Sequence, residues 1–294
     1  MENLQERTLD LLMETGLNWT VTKESLMSFD GKPTDSFGLF RSDNGQHLAT
    51  VQKRYEVYQN FELAEAILEA TQTLDLNVTR GGELSGGRKV YLQAELPEVY
   101  IGKSGMQRWI TGVNSHTGKS KIGFGSSGTV IVCQNTWYKA YGELAKFAHN
   151  STAAERVNEF IKGMRLALGL DENLIKKFRI MADQPIKDEI IAKVMNRAFE
   201  VDLDIKQSEI NPRAKAKAAR IAAALATEVE LQGSTLWALF NGVTRYTNHI
   251  ATKPEKAKEY VMTGAGYDTN LVAFDTIMEW IEANSEPAPA MIEI

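Results

Sequence analysis

Up to about residue 135, apolar positions alternate with polar ones in short runs; beyond it they recur every three or four residues. Residues 2–15 set Leu4, Leu11 and Leu12 among charges and predict a short amphipathic helix closed by Gly16. Strand-like runs at 36–41 and 47–55 flank Ser42-Asp43-Asn44-Gly45. Asn-Gly accepts the positive φ of a tight hairpin turn. Asn60 reads as the cap of a helix to about residue 74, with Leu63, Ile67 and Leu68 on one face. Runs at 76–83 and 88–96 flank Leu84-Ser85-Gly86-Gly87, and runs at 107–115 and 120–124 flank His116-Thr117-Gly118-Lys119, which predicts two more hairpins. Residues 129–134 form an apolar β-branched run ending at Asn135-Thr136, two helix-capping types.

Helical spacing then dominates, over 136–149, 152–168, 172–181, 186–200, 212–231, 233–250 and 268–284. Asn211 as cap and Pro212 at the first helical position mark one start sharply. Within 233–250, the positions of Trp237, Phe240 and Val243 predict an inward helix face. The expected fold is α+β: one N-terminal antiparallel sheet with flanking helices, strand 129–134 passing through its core, then a mostly helical C-terminal half. The expected domains are a sheet domain over 1–135, a helical region over 136–284 packed on it, and a proline-spaced tail over 285–294.

Composition narrows the function classes. The chain has 294 residues and ordinary apolar and charged fractions, enough for a real core. It holds no uncharged apolar run of bilayer length, and its polar start is unlike a signal peptide, so a cytoplasmic, membrane-free protein is expected. A single cysteine, Cys133, excludes a disulfide framework or a cysteine-rich zinc site. The formal net charge of −5 argues against coating duplex DNA with the whole surface.

Familiar motifs fail on context. Gly123-Phe124-Gly125-Ser126-Ser127-Gly128 has the letters of a dinucleotide fingerprint, but Thr129-Val130-Ile131-Val132 follow where the phosphate-binding helix should start. Gly118-Lys119-Ser120 has Val113 where the P-loop needs its first glycine, residues 82–87 have the glycine spacing but Arg88-Lys89 in place of the Lys-Ser/Thr pair, and strand-forming residues follow both. These glycines are expected to make turns, bulges or loops between antiparallel strands and to bind no phosphate. His47, His116, His149 and His249 show no metal-ligand spacing, so neither a metal nor another cofactor is expected. No catalytic residue is assigned, and a non-enzymatic protein is favoured.

Positive charge is segregated. Between residues 76 and 135 stand seven basic residues, Arg80, Arg88, Lys89, Lys103, Arg108, Lys119 and Lys121, against Glu83, Glu95 and Glu98. Tyr91, Tyr100, Trp109 and Phe124 are interleaved with them. Lysines and arginines neutralise phosphates while aromatic faces stack bases, so single-stranded nucleic acid is an expected partner. The expected contacts are Arg80, Arg88, Lys89, Arg108, Lys119 and Lys121, with Trp109 or Tyr91 as platform; Lys119 and Lys121 share a parity, and a strand face if the strand continues through both. Arg213, Lys217 and Arg220 make a second basic helix face, read first as a solvated surface. Core aromatics and solubilising lysines are the competing reading of the whole segment.

Three blocks carry a family resemblance. They are Arg41-Ser42-Asp43-Asn44-Gly45 with residues 51–60; residues 112–119 with Val132-Cys133-Gln134-Asn135-Thr136; and residues 235–249, from Thr235-Leu236-Trp237 to Thr247-Asn248-His249. Together they resemble the phage/plasmid-like proteins, a family of unknown function carried by bacteriophages, prophages and plasmids. The resemblance covers roughly residues 35–265. It marks His116, Cys133, Asn135, Thr136, Trp237, Asn241 and His249 as motif positions, and it implies a genomic setting with no mechanism attached. That setting favours recombination or single-strand binding in a bacterial host. The alternative is a phage interaction or cargo protein, such as a host-defence inhibitor, with self-association as a further partner. A hydrolase built on Cys133, His116 and Asn135 is a third class.

Overall fold

The computed structural model describes residues 3–74, 76, 78–130, 135–138, 145–162, 164–202 and 211–284. The first helix, α1 (Leu4–Thr15), begins with a reciprocal cap: Asn3 accepts from the Gln5 amide and Glu6 accepts from the Asn3 amide. Gly16, at φ 69°, turns the chain out of it. Three antiparallel strands follow, β1 (Val21–Met27), β2 (Pro33–Arg41) and β3 (His47–Gln52), paired in that order as a sheet of their own. Helix α2 (Asn60–Leu74) then leads into β4 (Val78–Leu84), β5 (Lys89–Ile101), β6 (Ser104–Ser115) and β7 (Ile122–Val130). Two short strands, β8 (Thr136–Tyr138) and β9 (Ala145–Phe147), both pair with β7 and complete a second antiparallel sheet.

The expected single N-terminal sheet is therefore overturned. Among the described residues there are two antiparallel sheets, N-terminal and central, and the second runs past residue 135 to 147. The predicted helix over 136–149 is replaced at its two ends by β8 and β9. Thr136-Trp137-Tyr138 are β-formers that find an open edge on β7, and that pairing outweighs their helical spacing. Strand β1 was not anticipated at all. Residues 123–128 are neither a loop nor a bulge: they run through β7 in unbroken register with β6, from Val113 opposite Gly123 to Met106 opposite Val130. A Cβ on Gly128 would stand 2.9 Å from the Met106 sulfur, so a larger residue there would displace the Met106 side chain. Of the expected core strand, Thr129 and Val130 end β7, while 131–134, with Cys133, lie outside the described residues.

The helices are α3 (Ala153–Lys162), α4 (Met164–Asp183), α5 (Asp188–Phe199), α6 (Pro212–Gln232), α7 (Leu236–Arg245), α8 (Pro254–Thr263) and α9 (Ala265–Asn284). A π-helical turn, Tyr246–Ile250, continues α7. Two compact units share the chain discontinuously, so residue 135 is one crossing point among several. Unit 1 comprises 1–99, 105–130 and 136–174; unit 2 comprises 100–104, 131–135 and 175–294. In unit 1, α1, α2 and α3 cover apolar sheet positions such as Leu39, Val51, Leu92 and Ile110. A Cβ on Gly112 would stand 3.0–3.1 Å from Ile67, Leu63 and Phe124, so α2 lies directly on β6 there. Unit 2 is built around Phe178, Trp237, Phe240 and Phe274, whose ring centroids are 4.7–6.0 Å apart; Trp237, Phe240 and Val243 are all buried.

Candidate functional site

Turns that need glycine build one corner of unit 1. Gly86 and Gly87 (φ 64° and 82°) join β4 to β5, and Gly118 (φ 69°) lies in the turn between β6 and β7. A Cβ on Gly118 would come within 2.7 Å of Val51, so this turn is pressed onto the end of β3. The His116 amide donates to the Arg88 carbonyl at 2.8 Å, and Tyr55 donates its hydroxyl proton to the Ser115 carbonyl at 2.9 Å. Four segments thus meet: the ends of β3 and β6 and the starts of β5 and β7.

Beneath them is a buried polar knot. Asn60 is the first residue of α2 rather than its cap; Glu62 instead accepts from the Gln59 amide at 2.6 Å. The Asn60 amide nitrogen donates to the Leu17 and Trp19 carbonyls, so its oxygen must accept, and it faces His116 Nε2 at 3.0 Å. His116 therefore carries its proton on Nε2, leaving a fully buried Nδ1 with no hydrogen-bond partner. Trp19 meets this ring edge-on at 5.6 Å. His149 stacks on Tyr55 at 4.7 Å, and neither of its ring nitrogens makes a hydrogen bond of good geometry. Burial, then His149 and Arg41, lowers the His116 pKa to about 3. Burial lowers His149 to about 4, against a smaller opposing pull from the Glu56 backbone. Both imidazoles are neutral at pH 7. Arg41, 8% exposed, lies over Trp19 at 4.1 Å and is held by both Asp43 oxygens and by Glu83.

Around the knot sits a basic rim. Arg88, Lys119 and Lys121 are exposed on the turns just described, and the chain adds Lys53 and Arg54 after β3 and Lys146 on β9, opposite Gly123. Six exposed cations thus stand on segments that meet at one end of the second sheet. Of the nearby acids, Asp43 and Glu83 are tied to Arg41, and Glu56 is exposed. Lys119 and Lys121 reach this place from a turn, since β7 starts only at Ile122; the expected shared strand face does not exist.

Other predicted contacts lie elsewhere or are occupied. Arg80 is exposed, with its guanidinium 4.4 Å over the ring of Trp109. Trp109 is 2% exposed and Tyr91 7%, so neither ring offers a free face to a base. They share a buried layer with Gln93, Thr111 and Ser127, whose side chains hydrogen-bond one another. Arg108 is half-buried and donates twice to the Pro97 carbonyl. It lies seven residues from Ser115 along β6, roughly 23 Å from the rim. Lys89 is half-buried at the start of β5. In the second basic cluster, Lys217 donates to the Phe199 carbonyl at 2.8 Å and Arg220 to the Ile250 carbonyl, so both cap helix ends; Arg213 is exposed.

The third motif block and Asn135 form a separate buried cluster in unit 2. Glu228, 0% exposed, accepts from Asn135 (2.9 Å), Arg245 (3.1 Å) and Gln232 (2.6 Å). Asn135 also donates to the Asn241 carbonyl at 3.1 Å, and Asn241 donates to the Trp237 carbonyl at 2.9 Å. His249 is exposed on the π-helical turn, and Thr136 pairs through its backbone with Thr129. His116 and Asn135 fall in different clusters, and Cys133 lies outside the described residues. Lys53, Arg54, Lys146 and Glu228 were missed because charge was counted within one stretch of sequence. The one available signal was Lys53-Arg54 inside the first motif block.

Among the described residues, no group of three or more His, Cys, Asp or Glu is placed to hold a metal, and no helix is long and apolar enough to cross a membrane. A family model described as Domain of unknown function (DUF932) matches residues 47–267. No curated protein and no solved structure matches the chain.

Proposed function

The chain belongs to the family of the domain of unknown function DUF932, and from that premise we propose that unit 1 holds single-stranded nucleic acid by its phosphates, in the service of a phage or plasmid. One observation carries the reading: six exposed cations from distant parts of a chain that is acidic overall stand on segments that meet at one end of the second sheet. A confined basic corner suits a strand flexible enough to bend to it, whereas duplex binding rewards an extended positive surface. The burial of Trp109 and Tyr91 changes the expected mode from stacking to phosphate neutralisation, with little sequence preference.

The test is fluorescence anisotropy of a labelled oligonucleotide over a range of salt. Each lost phosphate contact on a single strand flattens the log–log salt slope by about 0.7. Lys119→Ala/Lys121→Ala and Lys53→Ala/Arg54→Ala are each expected to flatten it by about 1.4. Arg108→Ala, at the far end of the sheet, is expected to leave it unchanged. Absence of wild-type binding at low salt defeats the reading. The protein-partner alternative would then rest on the β1–β2 hairpin tip, where Phe29 is fully exposed beside Met27 at 62%.

A further inference from the structure

In unit 2, α6 packs on α7 and α5 packs on α9, which leaves α5 and α6 facing each other across a cleft of about 360 Å³. Ile191, Val194 and Phe199 form one wall, and Leu239 and Val243 of α7 form the floor. The α6 wall sets Ala218, Ala219 and Ala222, which stop at Cβ and leave room beside them, among Ile221 and Leu225. Gly242 sets how near α7 lies to α6, since a Cβ there would stand 2.8 Å from the Leu225 Cα. Ala219 and Ala222 are exposed, so the cleft opens to solvent along α6. Lys215, one turn earlier on the same helix and also exposed, is the only charged side chain among the described residues lining it.

We infer that this cleft binds a small amphiphile with an unbranched apolar chain and an anionic head, of the fatty-acid class. An apolar lining of this kind takes apolar ligands of matching size. The volume falls in the range of small-molecule sites. It accommodates about a dozen water-sized groups, which sets the chain at medium length. Among the described residues, the lining presents no acid and no side-chain amide that would hold a polar body. Lys215 stands at the mouth, where a carboxylate on an inserted chain would emerge, so head and tail are both matched.

The experiment is isothermal titration of the full chain with decanoate, decanol and decyltrimethylammonium, all below their micellar concentrations. Decanoate is expected to bind once per chain, at least tenfold more tightly than decanol, and the cation not at all. Lys215→Glu is expected to weaken decanoate at least tenfold and to admit the cation. Ala222→Trp should fill the mouth and abolish decanoate uptake; its site is exposed, so the thermal midpoint should stay at the wild-type value. Ala218→Phe repeats the block from inside the cleft. Failure of decanoate to bind at millimolar concentration overturns the inference, as does uptake unaffected by both blocking variants. Self-association abolished by Ala222→Trp without decanoate uptake overturns it as well, and assigns the cleft to a second copy. None of these outcomes depends on nucleic-acid binding.

Discussion

Replacing Glu228 by Ala is expected to destabilise unit 2 by about 3–5 kcal/mol, the usual consequence of removing one partner from a buried charge pair. The carboxylate is fully buried and accepts three hydrogen bonds, from Asn135, Gln232 and Arg245. Without it, two amide groups lose an acceptor, and so does a guanidinium that is 29% exposed. That partial exposure lets Arg245 regain some hydration, which favours the lower end of the range. Glu228→Gln should recover part of the loss by keeping one acceptor oxygen, but not all, because its new NH₂ must face a donor. Denaturant unfolding of the three proteins measures this, with hydrogen exchange in α7 locating the effect in unit 2. A Glu228→Ala protein within about 1 kcal/mol of wild type would show that the cluster contributes far less than buried pairs do.

Acidification should weaken unit 1 through its two histidines. In the unfolded chain each imidazole titrates near the ordinary value of 6.5; folded, the values are about 3 for His116 and about 4 for His149. Below pH 6.5 the unfolded chain therefore binds protons that the folded one refuses, and stability falls as pH falls. The contribution is whole above pH 6.5 and is lost progressively down towards the folded values. At pH 5 the loss relative to pH 7.5 is about 2 kcal/mol for each histidine, by the linkage relation. Arg41 adds to the penalty on a charged His116, and the Glu56 backbone only partly offsets that on His149. His116→Gln keeps a donor for Asn60, and His149→Phe keeps the stack on Tyr55, so the double variant retains both contacts without a titrating ring. Urea unfolding at pH 7.5 and pH 5.0 should give it a dependence flatter by about 4 kcal/mol. Equal slopes for wild type and variant would mean that the rings are hydrated or paired.

Local chemistry was legible where one short stretch contains both the signal and its partner. Gly16 after α1, Asn211 with Pro212, and the Asn44-Gly45 turn each act within a few residues, and each stands where the pattern put it. The second sheet was not legible as drawn. Thr136-Trp137-Tyr138 became a strand because β7 offered an open edge, and residues 123–128 became a strand because β6 accepted them in register. Sheet pairing is a contact between distant segments, and it overrides local spacing.

The same division holds for the candidate site. Arg88, Lys119 and Lys121 were visible as charge within one segment, and Lys53, Arg54 and Lys146 joined them only once the turns were pressed together. Trp109 looked like a stacking platform because an aromatic among cations has that signature in one dimension; its burial depends on which sheet face is covered. Glu228 was one acid on a helix until Asn135, distant in sequence, reached it. By itself, then, the sequence determined the period of most of its helices, caps and turns such as Gly16, Asn211-Pro212 and Asn44-Gly45, and its family, because these depend on neighbours a few bonds away. Only the tertiary structure decided which edges pair, which rings are covered and which charges meet. Those outcomes rest on burial and long-range contact, which no single stretch of the chain contains.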